Sequence, residues 1–318
     1  MVSSIKCYSN FTEFVLLGFS DFRYKHQLSI FTFFCLAYIF TLLANGLIFM
    51  TITFSSRLRT PMYFFLRNLS FIELCFITIT IPKAMHIFMS ETKSISLFGC
   101  AFQMCAFNLI GVSECLFLGV MAFDRYMAIC NPLRYMTVMS QKMCFFLTAG
   151  SWVVGLFVSV GLISSIFNVP CCNSNLILHF FCDMAAVLNL ACVNTFNNEL
   201  FVFIACILVV AIPFLAILVS YINILCSVGL IRSKEAGHKA FSTCGSHLAS
   251  VILFYGTAMI FHFRLGTQGS TANDRMIEPV FCIIIPAINP LIYSLRNKDI
   301  KQSVRRLLHV LNASTNTR

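Results

Sequence analysis

This chain contains no charged residue from Leu28 to Phe54 and none from Leu200 to Ile231. Each stretch exceeds the ~20 apolar residues that carry a helix across the hydrocarbon layer of a bilayer. Five further apolar segments bring the number to seven, at 28–54, 62–82, 100–123, 143–167, 200–229, 240–262 and 277–295. The second encloses Arg67 and the seventh has Glu278 at its outer edge. A segment in lipid must satisfy its own backbone polar groups, so each reads as a helix. The ~10-residue alternation of a membrane barrel is absent. Composition agrees, with 58% apolar and 11% charged residues, where soluble domains carry about 25% charged residues. The expected fold is an all-α membrane protein, a seven-transmembrane helix bundle.

Lysine and arginine set the orientation. One set of connections holds Arg57, Arg59, Arg125, Arg134, Lys142, Arg232, Lys234 and Lys239, and the tail on that side adds Arg296, Lys298, Lys301, Arg305, Arg306 and Arg318. The opposite side holds only Lys6, Arg23, Lys25, Lys83, Lys93, Arg264 and Arg275. The positive-inside rule therefore predicts an extracellular tail over 1–27, a bundle over 28–296 and a cytoplasmic tail over 297–318. The net charge of +10 follows from this topology and from anionic inner-leaflet lipid, with no nucleic-acid partner required. No apolar stretch with a cleavage site precedes the first span, so that span is expected to direct insertion itself. Asn10 opens an Asn-Phe-Thr sequon, usable when the tail faces the secretory lumen.

Of sixteen cysteines, Cys171, Cys172, Cys182 and Cys192 lie between spans four and five, and Cys100 opens span three on the same side. An oxidising outer compartment makes these disulfide candidates, and spacing alone leaves the pairing open. A zinc site using His179 and Cys182 is a competing reading of the same loop.

Four motifs stand in order at the cytoplasmic helix ends. They are Leu58-Arg-Thr-Pro-Met-Tyr-Phe-Phe-Leu-Arg-Asn-Leu-Ser70, Met121-Ala-Phe-Asp-Arg-Tyr-Met-Ala-Ile-Cys-Asn-Pro-Leu-Arg-Tyr135, Lys239-Ala-Phe-Ser-Thr-Cys-Gly-Ser-His247 and Pro286-Ala-Ile-Asn-Pro-Leu-Ile-Tyr-Ser-Leu-Arg-Asn297. The chain thereby resembles the odorant receptors, rhodopsin-like G-protein-coupled receptors, over about Phe11 to Leu308, with Asn68-Leu-Ser-Phe71 pointing to the tetrapod-type, class II branch. It departs from the pattern at Phe123 (usually tyrosine), Glu73 (usually aspartate), Val193-Asn194, Gly229-Leu230 and Gly245.

The resemblance implies a plasma-membrane receptor that binds a small odorant and activates a stimulatory, olfactory-type heterotrimeric G protein, with a short amphipathic helix after span seven. Trafficking chaperones are candidate further partners. Asp124 would hold Arg125 at rest, Tyr126 would complete that motif, and Tyr221 and Tyr293 would swing toward Arg125 on activation. His247 would close the lip of the G-protein cleft, and Asn289-Pro290 would be a weak point in span seven, the asparagine rebinding backbone groups freed by the proline. The resemblance pairs Cys100 with Cys182 and Cys172 with Cys192, leaving Cys7 and Cys171 unassigned. It puts the ligand in the outer half of the bundle. Met104, Phe107, Asn108, Gly111 and Val112 form one stripe of span three, facing Val202, Ala205, Cys206 and Val209 of span five. Tyr255, Ala258, Met259 and His262 of span six and Cys282 of span seven complete the lining. Burying ~300 Å² at about 25 cal/mol/Å² yields roughly 7 kcal/mol before association losses. Affinity is therefore expected to be micromolar or weaker.

Two acids, Glu73 and Glu114, lie inside spans, where a charge costs roughly 3 kcal/mol. They read either as a neutral, hydrogen-bonded carboxyl pair or as an allosteric sodium or proton site completed by Asn45, Ser113 and Asn289. Rival classes fare less well. An amine receptor needs an acid on the pocket face of span three, where Asn108 stands, and a retinal protein needs a lysine in span seven. A channel or transporter would show a charge-lined pore or an internal repeat. No nucleophile, base or metal set converges as an enzyme requires. A non-olfactory rhodopsin-like receptor for another small ligand is the nearest alternative.

Overall fold

A computed structural model describes residues 12–18, 24–90, 93–170, 174–177, 179–229, 234–264 and 274–315. Side chains at 24–26, 234–243, 260–264, 274–281, 294–296 and 308–315 lie outside that description.

Every expected span is helical. They are α1 (Tyr24–Phe54), α2 (Pro61–Met89), α3 (Leu97–Cys130), α5 (Gln141–Phe167), α7 (Phe196–Gly229), α8 (Lys234–Arg264) and α9 (Asp274–Arg296). Short helices α4 (Pro132–Val138) and α6 (Met184–Leu188) occupy loops, and α10 (Lys298–Thr315) follows α9. The helices outrun the apolar segments because polar first and last turns extend into the interfaces. Pro61 and Pro132 start α2 and α4, where a missing N–H costs nothing. Ser96 and Ser140 cap α3 and α5 by accepting from the Gly99 and Met143 amides. Among the described residues five helices are long and apolar enough to cross a membrane, and α8 and α9 contribute shorter apolar stretches, Cys244–Met259 and Cys282–Tyr293. Large apolar side chains such as Leu43, Phe157 and Ile212 stay exposed on the outer faces, where lipid replaces water.

The long helix α3 runs through the middle and packs on α2, α5, α7 and α8. An inner apolar cluster extends from Ile48 through Leu69, Phe117 and Tyr221 to Ile300. Outer clusters form around Phe14, Met104 and Val202 and around Phe34, Ile77 and Ile283. By position on α1, α2 and α9, buried Asn45, Glu73 and Asn289 fall between the inner and outer sets.

A small sheet covers the outer end, which the helical reading of the sequence did not anticipate. Strand β1 (Glu13–Leu16) lies between β2 (Ser94–Ser96) and β3 (Leu176–Ile177). It pairs antiparallel with β2 and parallel with β3. Phe14 and Leu16 are buried beneath it against Cys100, Cys182 and Val187. Gly18 follows at φ +51°, a left-handed turn that glycine enters without a Cβ clash. The segment expected as a tail thus contributes the central strand of a three-stranded sheet.

Candidate functional site

Three levels of the bundle hold the residues with functional chemistry. At the end of the bundle where α3 meets α4, Asp124 is fully buried and pairs with Arg125, Nη2 to Oδ2 3.3 Å. The other carboxylate oxygen accepts a 2.8 Å hydrogen bond from the Tyr135 hydroxyl of α4. Burial, then the neighbouring Asp124 charge, pushes the Tyr135 phenol above its ordinary range, so it remains a neutral donor. The sequence reading quoted Tyr135 without a role. Its signal was the Pro132 that starts a seven-residue helix at the right distance to fold back. Tyr221 of α7 is latched to α8, its hydroxyl 2.8 Å from His247 Nδ1 and 3.3 Å from the Cys244 carbonyl. Tyr293 is buried, with no hydrogen-bond partner for its hydroxyl among the described residues. Tyr126 packs its ring beside Phe123. Tyr63 hydrogen-bonds Asn297 and Asp299 (3.3 and 3.2 Å), fixing the turn between α9 and α10. That contact too was missed.

At mid-depth Asn289 donates to Glu73 and accepts from Ser250 at 2.8 Å. Its side chain is therefore not the one that repairs the proline break. Pro290 deprives the Pro286 carbonyl of its helical donor, and Asn45 of α1 supplies the replacement at 3.0 Å. Pro213 leaves the Val209 carbonyl open in the same way, and the Cys115 thiol of α3 takes it at 3.2 Å. Tyr255 of α8 then donates to the Cys115 carbonyl at 3.1 Å. Both breaks are closed by side chains from a neighbouring helix, so each is an interhelical joint.

Of the residues expected to complete an ion site, Ser113 is placed elsewhere. Its hydroxyl donates to the Ser151 carbonyl of α5 at 3.3 Å. Successive residues on a helix point about 100° apart, so Ser113 and Glu114 face different neighbours. Asn45 is committed to backbone carbonyls. What fits a hard cation, or a shared proton, is one oxygen each of Glu73 (Oε2) and Glu114 (Oε1), both buried without a hydrogen-bond partner among the described residues.

In the outer half, Met104 and Val202 pack in one apolar cluster, with Ala205 and Cys206 against it. Phe107 lies between Phe76 and Phe181, ring centroids 5.1 and 5.2 Å away. Val112 and Cys282 are buried, Ala258 is half-buried and Met259 is exposed. A Cβ on Gly111 would meet nothing within 4 Å. Asn108 turns its amide to its own helix, donating to the Met104 carbonyl at 2.8 Å, which leaves its oxygen and one N–H for a ligand. Val209 packs on the inner cluster, and Tyr255 is buried below the outer set. The His262 side chain lies outside the described residues. Gln103, not anticipated, reaches the Ile79 carbonyl and accepts from the Cys182 amide (3.3 and 3.2 Å).

The disulfide Cys100–Cys182 is present, with Cα atoms 5.4 Å apart. Cys182 therefore offers no thiolate, and the zinc reading with His179 falls. Cys192 is disulfide-bonded. Cys172, the partner expected for it, lies outside the described residues, as do Cys7, Asn10 and Cys171.

Comparison with known proteins agrees with this arrangement. The chain is 45% identical over 296 residues to olfactory receptor 10AG1 of Homo sapiens, covering 93% of this chain and 98% of that one. It is 43% identical over 305 residues to olfactory receptor 13C2 of Homo sapiens (93% and 95%). With olfactory receptor 5G9 of Mus musculus the identity is 42% over 301 residues (94% and 95%). A family model described as olfactory receptor matches residues 34–310, and with these relatives it establishes that the chain belongs to the olfactory receptor family.

Proposed function

We propose that this receptor sits in the plasma membrane with its N-terminus outside, takes small apolar volatile molecules in the outer half of the bundle, and activates a stimulatory, olfactory-type Gα at the cytoplasmic end. The observation that supports coupling is the closed Asp124–Arg125 pair, held by Tyr135. A guanidinium with a local carboxylate partner is available to a new acceptor only after that pair opens. Opening α8 away from α7 would break the Tyr221–His247 latch and release Tyr221 toward the same cleft. The test is a cyclic AMP reporter in cells challenged with an odorant panel. Arg125→Ala, compared at equal surface level, should lower the response by at least about tenfold, a loss of ~1.4 kcal/mol in coupling. An intact response in that variant would refute the coupling role.

The buried acids support a second, smaller proposal. Glu73 and Glu114 hold a sodium ion or share a proton, with Asn289 orienting Glu73. A bound cation would supply the positive charge that two neighbouring buried carboxylates lack. Glu114→Gln should remove any dependence of basal signalling on external sodium. Unchanged dependence would exclude the ion and leave the neutral carboxyl pair.

A further inference from the structure

We propose that Gln103 is a positioning residue for odorant recognition, one that places the Phe181 ring against Phe107 by tying the Phe181–Cys182 peptide to α2. The proposal rests on the reading that odorants sit in the outer half of the bundle, beside Phe107.

Gln103 is buried on α3, between two segments that lie 24 and 79 residues away in sequence. Its Nε2 donates to the Ile79 carbonyl of α2 at 3.3 Å, and its Oε1 accepts from the Cys182 amide at 3.2 Å. A side-chain amide carries donors on one side and an acceptor on the other, so a carbonyl and an N–H as partners permit only this orientation. The Cys182 amide belongs to the peptide group that joins Phe181 to Cys182. Gln103 therefore fixes the peptide plane that follows Phe181. The plane before it is held as well, because the Phe181 amide donates to His179 Nδ1 at 3.4 Å. The His179 carbonyl in turn accepts from the Gly18 amide at 3.1 Å. The disulfide does not do this work. It limits the distance between Cys100 and Cys182, while rotation about its side-chain bonds leaves the neighbouring peptide planes undetermined.

The ring so placed is buried, with centroids 5.2 Å from Phe107, 4.8 Å from Phe180 and 4.5 Å from His179. Phe107 is only half-buried, so a ligand that covers its open surface lies next to Phe181. At its other end Gln103 grips α2 where that helix is weakened. Pro82 leaves the Thr78 carbonyl without its helical donor. The Thr78 and Thr80 hydroxyls turn back on the Leu74 and Phe76 carbonyls at 2.6 and 2.9 Å, which bends a helix further. Ile79 lies in that turn, so the course of α2 there depends on an outside contact, and Gln103 supplies it. Phe76, one turn earlier, packs on Phe107 at 5.1 Å. Loop, α3 and α2 thus share one aromatic row, Phe181–Phe107–Phe76, with Gln103 as the polar tie beside it.

The test uses full-length receptor and two measurements. Hydrogen exchange on solubilised, unliganded receptor follows the peptide covering 179–183. Gln103→Met keeps the side chain's length and removes both bonds. It should speed exchange in that peptide about tenfold while Cys100–Cys182 stays oxidised. The cyclic AMP reporter is then run with a homologous series of straight-chain alcohols, each variant at equal surface level. A loosened Phe181 admits longer chains beside Phe107. Gln103→Met should therefore shift the EC50 ratio of long to short members about tenfold in favour of the long ones, as Phe181→Ala does. Added to Phe181→Ala, it should cause no further shift, because the ring it positions is gone. A merely structural loss would lower every member together and leave the ratio alone. That result, unchanged exchange, or an additive double variant would overturn the proposal. So would silence to the whole series in parent and variants alike. Gln103→Asn, a methylene too short to hold both partners, takes the place of Gln103→Met if the latter does not reach the surface. Phe107→Ala tells two failures apart. An altered ratio there, with none in the Gln103 variants, removes only the positioning role, whereas no change in any of them removes the outer-half site as well.

Discussion

Cys100→Ser is expected to remove the receptor from the cell surface. The bond joins residues 82 apart in sequence, and both sulfurs are buried. Closing a loop of that size restricts the unfolded chain by about 4–5 kcal/mol, against a total stability of about 5–15 kcal/mol. The loss is also local. Cys182 sits beside the Gln103 contact to its own amide and beneath β1, so releasing it loosens α2, α3 and the sheet together. Flow cytometry on an N-terminal epitope should find surface staining below about a tenth of the parent, since unfolded membrane protein is retained and degraded. Cys182→Ser should behave alike, and the double variant should be no worse than either single one, because both remove the same bond. Surface levels above half the parent in either single variant would sink the argument.

Gly155→Ala should be the most damaging added methyl among the described glycines. A Cβ at Gly155 would overlap Ser113 Oγ and lie 3.0 Å from the Leu109 carbonyl. Ser113 can rotate, although it gives up its bond to Ser151. The Leu109 backbone cannot, so α3 and α5 must move apart. Overpacking of this kind costs about 1–3 kcal/mol. The melting temperature of solubilised receptor should fall by several degrees, and Ser113→Gly placed in the same chain should recover only part of the loss. Full recovery would show that the Leu109 backbone yields and that the contact is softer than its geometry implies. An unchanged melting temperature for Gly155→Ala alone would contradict the clash outright.

Most of the architecture was legible because lipid enforces it. A charge-free run from Leu200 to Ile231 has one structural solution in a bilayer, the helix. Motifs at helix ends were legible because their neighbours lie within one or two turns, as Arg125 does beside Asp124. What escaped depends on rotation about a helix axis or on contacts far apart in sequence. Ser113 was expected to complete an ion site with Glu114, although adjacent helical residues diverge. Asn45 was placed near an ion, while its amide closes the break made by a proline 245 positions later. No local pattern announces that β1, four residues of Glu-Phe-Val-Leu, will find one partner before α3 and another before α6.

The sheet also imposes an order of assembly. Strand β1 leaves the ribosome before every span, yet its partners Ser94–Ser96 and Leu176–Ile177 arrive only after two and four spans have been threaded. Among the described elements the first in the chain is therefore among the last to be secured, and until then Phe14 and Leu16 lack the partners that bury them. Their burial requires that the two later strands have been brought to the same end of the bundle. A strand that cannot dock marks an unfinished molecule, and export control in the cell has a surface to inspect for as long as that state lasts.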